Sequence, residues 1–279
     1  MNTVFGNIIS RNSSYQKISV VIQYSQLLKD YDIISFIDRI DDISELYSAK
    51  YKPTGETITI KITNLDLSPD FGLVLELVDI VRNAGTCSHP NILKYNTSFL
   101  DNDNMRLISV VEPIRLGSMK KILNEHFPSG IHNEVLIASI LREILHGIDY
   151  LHENNFIHNN IRAENVFVDS SGQVKISGLH QLIQNKTAFN FVGDHEWMAP
   201  EVLSQATTIN NRVDIYSLGI MALELAYGKT PFEGWPPLKI LLCKLQYDIP
   251  PVQVERPPIS VAFHDFLWLC LNKNPMERY

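Results

Sequence analysis

Polar and apolar residues follow two regimes along the chain. Up to about Val111, apolar positions come in short runs or alternate with polar ones; beyond Ser118 they recur every three or four residues. Ile33–Ile37 is largely apolar and β-branched, and Leu46–Lys50 is a second short run. Thr57-Ile58-Thr59-Ile60-Lys61-Ile62 alternates with period two, as a half-buried strand does. The turn Tyr51-Lys52-Pro53-Thr54-Gly55-Glu56 between these runs predicts a hairpin. Phe71–Asn83 has helical spacing at Leu73, Leu77, Ile80 and Val81, and Met105–Val111 predicts a further strand. Residues 1–30 read as an extension, compatible with a strand at Ile18–Ile22 and a short helix at Gln23–Lys29.

Glu112–Gly117 reads as a linker into a helical half. Asn133 is a predicted N-cap, after which Leu136, Ile140, Ile144, Ile148 and Leu151 keep helical spacing. Val166–Val168 and Val174–Ile176 flank the turn Asp169–Gly172 and predict a small hairpin. Val213–Tyr227 is apolar nearly all round, which predicts a central buried helix. Pro-rich segments follow at Trp235–Pro237 and Ile249–Pro251, then an amphipathic helix over Phe263–Leu271. Strands first and helices afterwards predict an α+β fold of two lobes.

Composition narrows the classes. The 279 residues are 45% hydrophobic, enough for two lobes sharing a cleft. A net charge of −7, with no like-charge block, argues against a nucleic-acid or anionic-membrane surface. Cys87, Cys243 and Cys270 are far apart and read as free thiols in a reducing compartment. No signal peptide is visible, and the run Ile215–Tyr227 is too short to span a bilayer. A cytoplasmic or nuclear protein is expected.

The chemistry-bearing stretch is His158-Asn159-Asn160-Ile161-Arg162-Ala163-Glu164-Asn165, followed thirteen residues after Asn165 by Gly178-Leu179-His180. It resembles the catalytic loop and metal-binding segment of protein kinases, HRDxxxxN and then DFG. Other landmarks occur in the same order: Ile58-Thr59-Ile60-Lys61 for the VAIK strand, His89-Pro90-Asn91-Ile92, Ala199-Pro200-Glu201 for APE, Asp214 in Val213–Gly219, and Arg278 near the end. The resemblance implies one kinase-like domain over 31–279, ending before the family's usual last helix. Its strand-rich lobe would be 31–111, its hinge 112–117 and its helical lobe 118–279.

The resemblance also implies roles. Lys61 would touch nucleotide phosphates and pair with an acid on the next helix, Asp79 by spacing or else Glu76. Val111 stands at the gatekeeper. Glu112 and Ile114 would offer backbone groups to adenine, and Asn165 is the retained second-metal ligand. Glu201, Asp214 and Arg278 would brace the fold.

Departures fall on the chemistry. Asn160 stands where the family has the Asp that accepts the substrate proton, and a neutral amide is no base at physiological pH. Gly178 stands where a carboxylate should hold Mg²⁺, and Arg162 replaces a Lys. No glycine occurs between Gly6 and Gly55, so the Gly-rich phosphate cradle is missing. Asp38, Asp41, Asp42 and Glu45 would face a polyanion there. His180 reads as a solvated histidine rather than a metal ligand.

Tyr51-Lys52-Pro53-Thr54-Gly55-Glu56 with Ile62-Thr63-Asn64-Leu65, Leu116–Lys120 and Lys175-Ile176-Ser177-Gly178-Leu179 further resemble the Sterile-20-related adaptor pseudokinases, the STRAD type. Trp197-Met198-Ala199-Pro200-Glu201 is closer to active Sterile-20 kinases. The resemblance implies an inactive allosteric activator or scaffold of a partner Ser/Thr kinase. It leaves open ATP bound without Mg²⁺, and implies no metal. A Mo25-type helical-repeat scaffold belongs to the same picture, although the Trp-Glu-Phe-type tail motif that docks on it is absent from these residues. The alternatives are a weakly active kinase with atypical metal handling through Asn165 and Glu164, and an interaction module that binds no nucleotide.

Overall fold

The computed structural model describes residues 23–40, 43–67, 88–101, 103–169, 171–179, 183–184, 194–204, 209–247, 249–252 and 258–278. Five strands, β1 (Tyr31–Arg39), β2 (Ser44–Tyr51), β3 (Glu56–Asn64), β4 (Tyr95–Asp101) and β5 (Arg106–Val111), form one antiparallel sheet in the order β1-β2-β3-β5-β4. The period-two pattern of β3 decides its faces. Ile58 and Ile60 pack with Tyr31, Tyr51, Phe99 and Ile108 on one side. Thr59, Lys61 and Thr63 therefore point to the other, towards the second lobe.

The residues before β1 depart from expectation. Gln23–Leu27 is not helical, and only one 3₁₀ turn forms, at Leu28–Asp30. Its backbone is held by tyrosine hydroxyls instead: Ser25 N–H donates to Tyr51 Oη at 3.1 Å, and Tyr31 Oη donates to the Ser25 carbonyl. The expected strand at Ile18–Ile22 and helix at Phe71–Asn83 lie outside the described residues, as does Cys87.

The second part holds six α-helices among the described residues: α1 (Met119–His126), α2 (Glu134–Glu153), α3 (Pro200–Leu203), α4 (Arg212–Tyr227), α5 (Pro237–Gln246) and α6 (Val261–Cys270). Three begin at a side-chain cap. Ser118 accepts from Lys121 N–H, Asn133 from Val135 and Leu136 N–H, and Ser260 from Phe263 N–H. Every residue of α4 from Val213 to Ala226 is buried. Helix α5 was hidden by Pro236-Pro237, which marks a helix start rather than a loop, since Pro tolerates the first turn.

Short strands complete this lobe: β6 (Phe156–Ile157) with β9 (Ile183–Gln184), and the hairpin β7 (Val166–Val168) with β8 (Val174–Ile176). Strand β8 is stitched to the segment entering β4: Ile176 N–H donates to the Asn91 carbonyl and Leu93 N–H to the Ile176 carbonyl, both at 2.8 Å. Cys243 and Cys270 are buried and form no disulfide. No described helix is long and apolar enough to cross a membrane.

Candidate functional site

Helix α4 supplies the anchor of the segment between β6 and β7. Its Asp214 carboxylate is fully buried and takes three hydrogen bonds: His158 N–H at 2.8 Å, Asn159 N–H at 2.7 Å and His152 Nε2 at 2.8 Å. These bonds fix a chain reversal in which Asn159 has φ of 59°, a conformation asparagine tolerates better than most residues.

The His158 ring is also buried. Nε2 lies 2.7 Å from the Ser177 carbonyl, and Asn160 N–H donates to Nδ1. A ring that donates at one nitrogen and accepts at the other is neutral. Burial pushes the His158 pKa below its ordinary value, against the pull of Asp214. The unfolded chain takes up this proton below about pH 6.5 while the folded chain refuses it, so this group removes stability as pH falls. The slope approaches about 1.4 kcal/mol per pH unit. Burial raises the Glu164 and Glu196 pKa values, which works in the opposite direction at lower pH. The His158 share is isolated by comparison with His158→Gln: urea unfolding at pH 7 and pH 5 is expected to show a smaller loss on acidification in the variant.

The loci of the proton acceptor and the metal are occupied by the chain itself. Asn160 and Asn165 are buried, and Asn165 Nδ2 donates to the Asn160 carbonyl at 2.9 Å. Ser177 N–H in turn donates to the Asn165 carbonyl at 2.7 Å. Gly178 has φ of 84°, and a Cβ placed on it would meet Asn165 Cγ at 2.9 Å and Nδ2 and Oδ1 at 3.0 Å. The Asn165 amide thus fills the space where a side chain at position 178 would begin. These donors do not fit Mg²⁺ as a kinase holds it: Gly178 has no side chain, and Asn165 Oδ1 is a single neutral oxygen where a charged and a neutral oxygen would share the ion. Among the described residues no cluster of His, Cys, Asp or Glu is placed to hold a metal ion.

Arg162 is fastened by Glu164 at 2.9 Å and Asp194 at 3.5 Å, with its guanidinium 5.8 Å from the centre of the Trp197 ring. Glu164 is therefore engaged as an ion-pair partner. Glu201 and Arg278 form a two-pronged pair at 2.6 and 2.9 Å, and Arg278 Nε donates to the Asn272 carbonyl.

At the first lobe, Lys61 is buried on β3 beside Ser109. Among the described residues no carboxylate lies within ion-pair distance of it; Asp79 and Glu76 are outside them. Glu112 accepts from Lys94 N–H at 2.9 Å through one oxygen and pairs with Lys175 Nζ at 3.1 Å through the other. Ile114 N–H donates to Thr59 Oγ1 at 2.8 Å.

The acidic turn differs from expectation where it is described. Asp38 accepts from Ser118 N–H at 2.7 Å, while Glu45 pairs with Arg39 and accepts from Tyr47 Oη, so neither carboxylate is left facing the cleft unpaired. Asp41, Asp42 and His180 lie outside the described residues.

Two buried nodes escaped the sequence. Glu224 on α4 pairs with Lys120 Nζ at 2.9 Å and accepts from Trp197 Nε1 at 3.2 Å and Ala163 N–H at 3.3 Å. Lys244 on α5 donates to the carbonyls of His195, Glu196 and Met198 at 2.7–2.8 Å, beneath which lie the Tyr216 and Phe232 rings. Burial pushes the Lys244 pKa down, and three carbonyls use its three N–H bonds. An isolated lysine in a helix carries no local signal of this. Glu224 interrupts an apolar run, and that was the available clue.

This arrangement of sheet, hinge and braced loop is that of a kinase domain, and sequence comparison agrees. The protein kinase domain profile matches residues 42–279, so the chain belongs to the protein kinase domain family. Its relatives are of the Ste20 group. It is 37% identical over 232 residues to serine/threonine-protein kinase fray2 of Dictyostelium discoideum, covering 81% of this chain and 22% of that one. It is 31% identical over 233 residues to STE20-related kinase adapter protein alpha of Mus musculus, covering 79% and 53%. With serine/threonine-protein kinase ppk11 of Schizosaccharomyces pombe the identity is 34% over 238 residues, covering 84% and 73%. The chain spans 22%, 42% and 46% of the lengths of three of these kinase relatives, fray2, germinal center kinase 3 of Caenorhabditis elegans and fray1. Both kinases and adaptors are thus among its relatives.

Proposed function

We propose that this chain is a pseudokinase that regulates a partner Ser/Thr kinase by binding to it. The observation that carries the reading is that Asn160 and Gly178 offer no carboxylate at the proton-acceptor and metal positions, with the Asn165 amide standing where a side chain at Gly178 would begin. Phosphoryl transfer depends on positioning and on neutralising charge with metal, and here neither the base nor the metal position carries a carboxylate. The braces Asp214, Glu224 and the Glu201–Arg278 pair are intact beside them. The adaptor relatives support the partner half of the reading, and a Mo25-type scaffold enters through the same likeness. ATP bound through Lys61 and Asn165 is not part of this proposal.

The test is phosphotransfer by the purified chain with Mg²⁺ or Mn²⁺. Background rates are expected for the wild type and for Asn160→Asp/Gly178→Asp. Positive φ and the Asn165 contact make Gly178→Asp a loss of roughly 1–3 kcal/mol, not a repair. Wild-type turnover that Lys61→Ala abolishes would refute the inactive half. The partner half is tested by co-purification from native cells, with a recovered kinase whose rate rises when this chain is added back. Recovery of no kinase counts against it.

A further inference from the structure

We propose that the cleft between the lobes is filled and fastened by the chain's own residues, so that it takes no adenine nucleotide and needs none to stay closed. The hinge segment after β5 is where a planar base would find a backbone donor and acceptor side by side. Here the donor belongs to Thr59: its Oγ1 accepts from Ile114 N–H at 2.8 Å and lies 3.5 Å from the Ile114 carbonyl. Thr59 is 1% exposed and Ile114 5%, so the pair is dry. A ligand would have to break a satisfied buried hydrogen bond before making its own, and such an exchange leaves little net gain.

The turn between the first two strands adds a buried apolar residue. The turn between β1 and β2 closes with Ile40 N–H donating to the Ser44 carbonyl at 2.9 Å, and Ile40 is 2% exposed. Ile37, Ile40 and Leu46 belong to one continuous buried cluster with Ile114, Phe167 and Leu179, which come from the hinge and the second lobe. Where a glycine-rich turn would leave room above a ligand, the described start of this turn carries the buried apolar side chain of Ile40.

Two bonds then tie the first lobe to the start of α1. Asp38 accepts from Ser118 N–H at 2.7 Å, and Lys121 Nζ donates to the Ile37 carbonyl at 2.8 Å. The tie is possible because Gly117, at φ of 82°, lets Asp38 approach: a Cβ there would meet Asp38 Oδ2 at 3.0 Å. A cleft that binds only after these contacts open has its apparent affinity reduced by the fraction of molecules that are open. The closed form is then a fixed property of the chain, independent of nucleotide level.

The test is scanning fluorimetry on the intact chain with ATP, ADP or adenosine at about 1 mM, with and without Mg²⁺, for the wild type, Thr59→Ser and Thr59→Val. A ligand that binds the native state raises Tm by mass action. Wild type and Thr59→Ser, which keeps the hydroxyl, are expected to show no shift in any condition. Thr59→Val keeps the volume but orphans the Ile114 N–H, and should lose roughly 3–10 °C in Tm without ligand. A wild-type Tm raised by ATP and equally by adenosine would overturn the proposal, and so would a Thr59→Val variant as stable as the wild type. Should Thr59→Val fail to fold, the wild-type and Thr59→Ser readings decide alone. None of these readings depends on a partner kinase, so failure here and failure of the co-purification are separate results.

Discussion

Asp214→Ala is expected to remove about 3–5 kcal/mol of stability, the largest loss for a single truncation in this chain. The carboxylate is fully buried and satisfies two backbone N–H groups and one histidine nitrogen. Alanine leaves all three without a partner, and the His158 N–H among them is buried. Each buried orphan costs about 1–3 kcal/mol, and the loop reversal at Asn159 loses what holds it. Urea unfolding followed by circular dichroism should show a lower midpoint with the slope unchanged, as expected when only stability changes. Asp214→Asn should lose less, since one oxygen remains to accept, while its amide N–H₂ faces a donor. A loss below about 1 kcal/mol for Asp214→Ala would mean that the loop stands without its brace.

What the sequence could and could not reveal divides along range of interaction. Elements declared themselves where one face is buried: the alternation of Thr57–Ile62, the helical spacing after Asn133, and the all-apolar Val213–Tyr227. These are local consequences of burial, so periodicity carries them. Strand β4 went unread because few of its residues are buried, chiefly Tyr95 and Phe99, and its pairing slips between Tyr95 and Thr97. The catalytic loop and its lost carboxylates were legible because they are substitutions within a fixed spacing.

The contacts that define the cleft were not legible. Thr59 reads as an ordinary strand residue, and its partner Ile114 is 55 positions away. Lys244 reads as a solvated helix lysine, yet its acceptors lie 46 to 49 positions back. Bonds between a side chain and a distant backbone have no local signature. They appear only once the lobes are placed together.

The second large effect separates bracing from charge. Arg278→Met should cost about 3–5 kcal/mol, because it strands the mostly buried Glu201 carboxylate without its partner. Glu201→Leu/Arg278→Met should recover most of that loss, since replacing both members of a buried pair by apolar groups of similar size is often nearly neutral. Recovery will be incomplete, as Arg278 also donates to the Asn272 carbonyl and lies 5.0 Å over the Tyr216 ring. A four-corner cycle measured by urea unfolding gives the coupling, expected at roughly 2–3 kcal/mol. Simple additivity would show the two residues acting separately. The pair joins α3 to the last described turn and touches neither the Asn160 nor the Asn165 locus, so the double variant should bind any partner kinase as the wild type does. Such a brace, kept in a chain whose base and metal positions carry no carboxylate, holds the kinase shape that the proposed binding role requires.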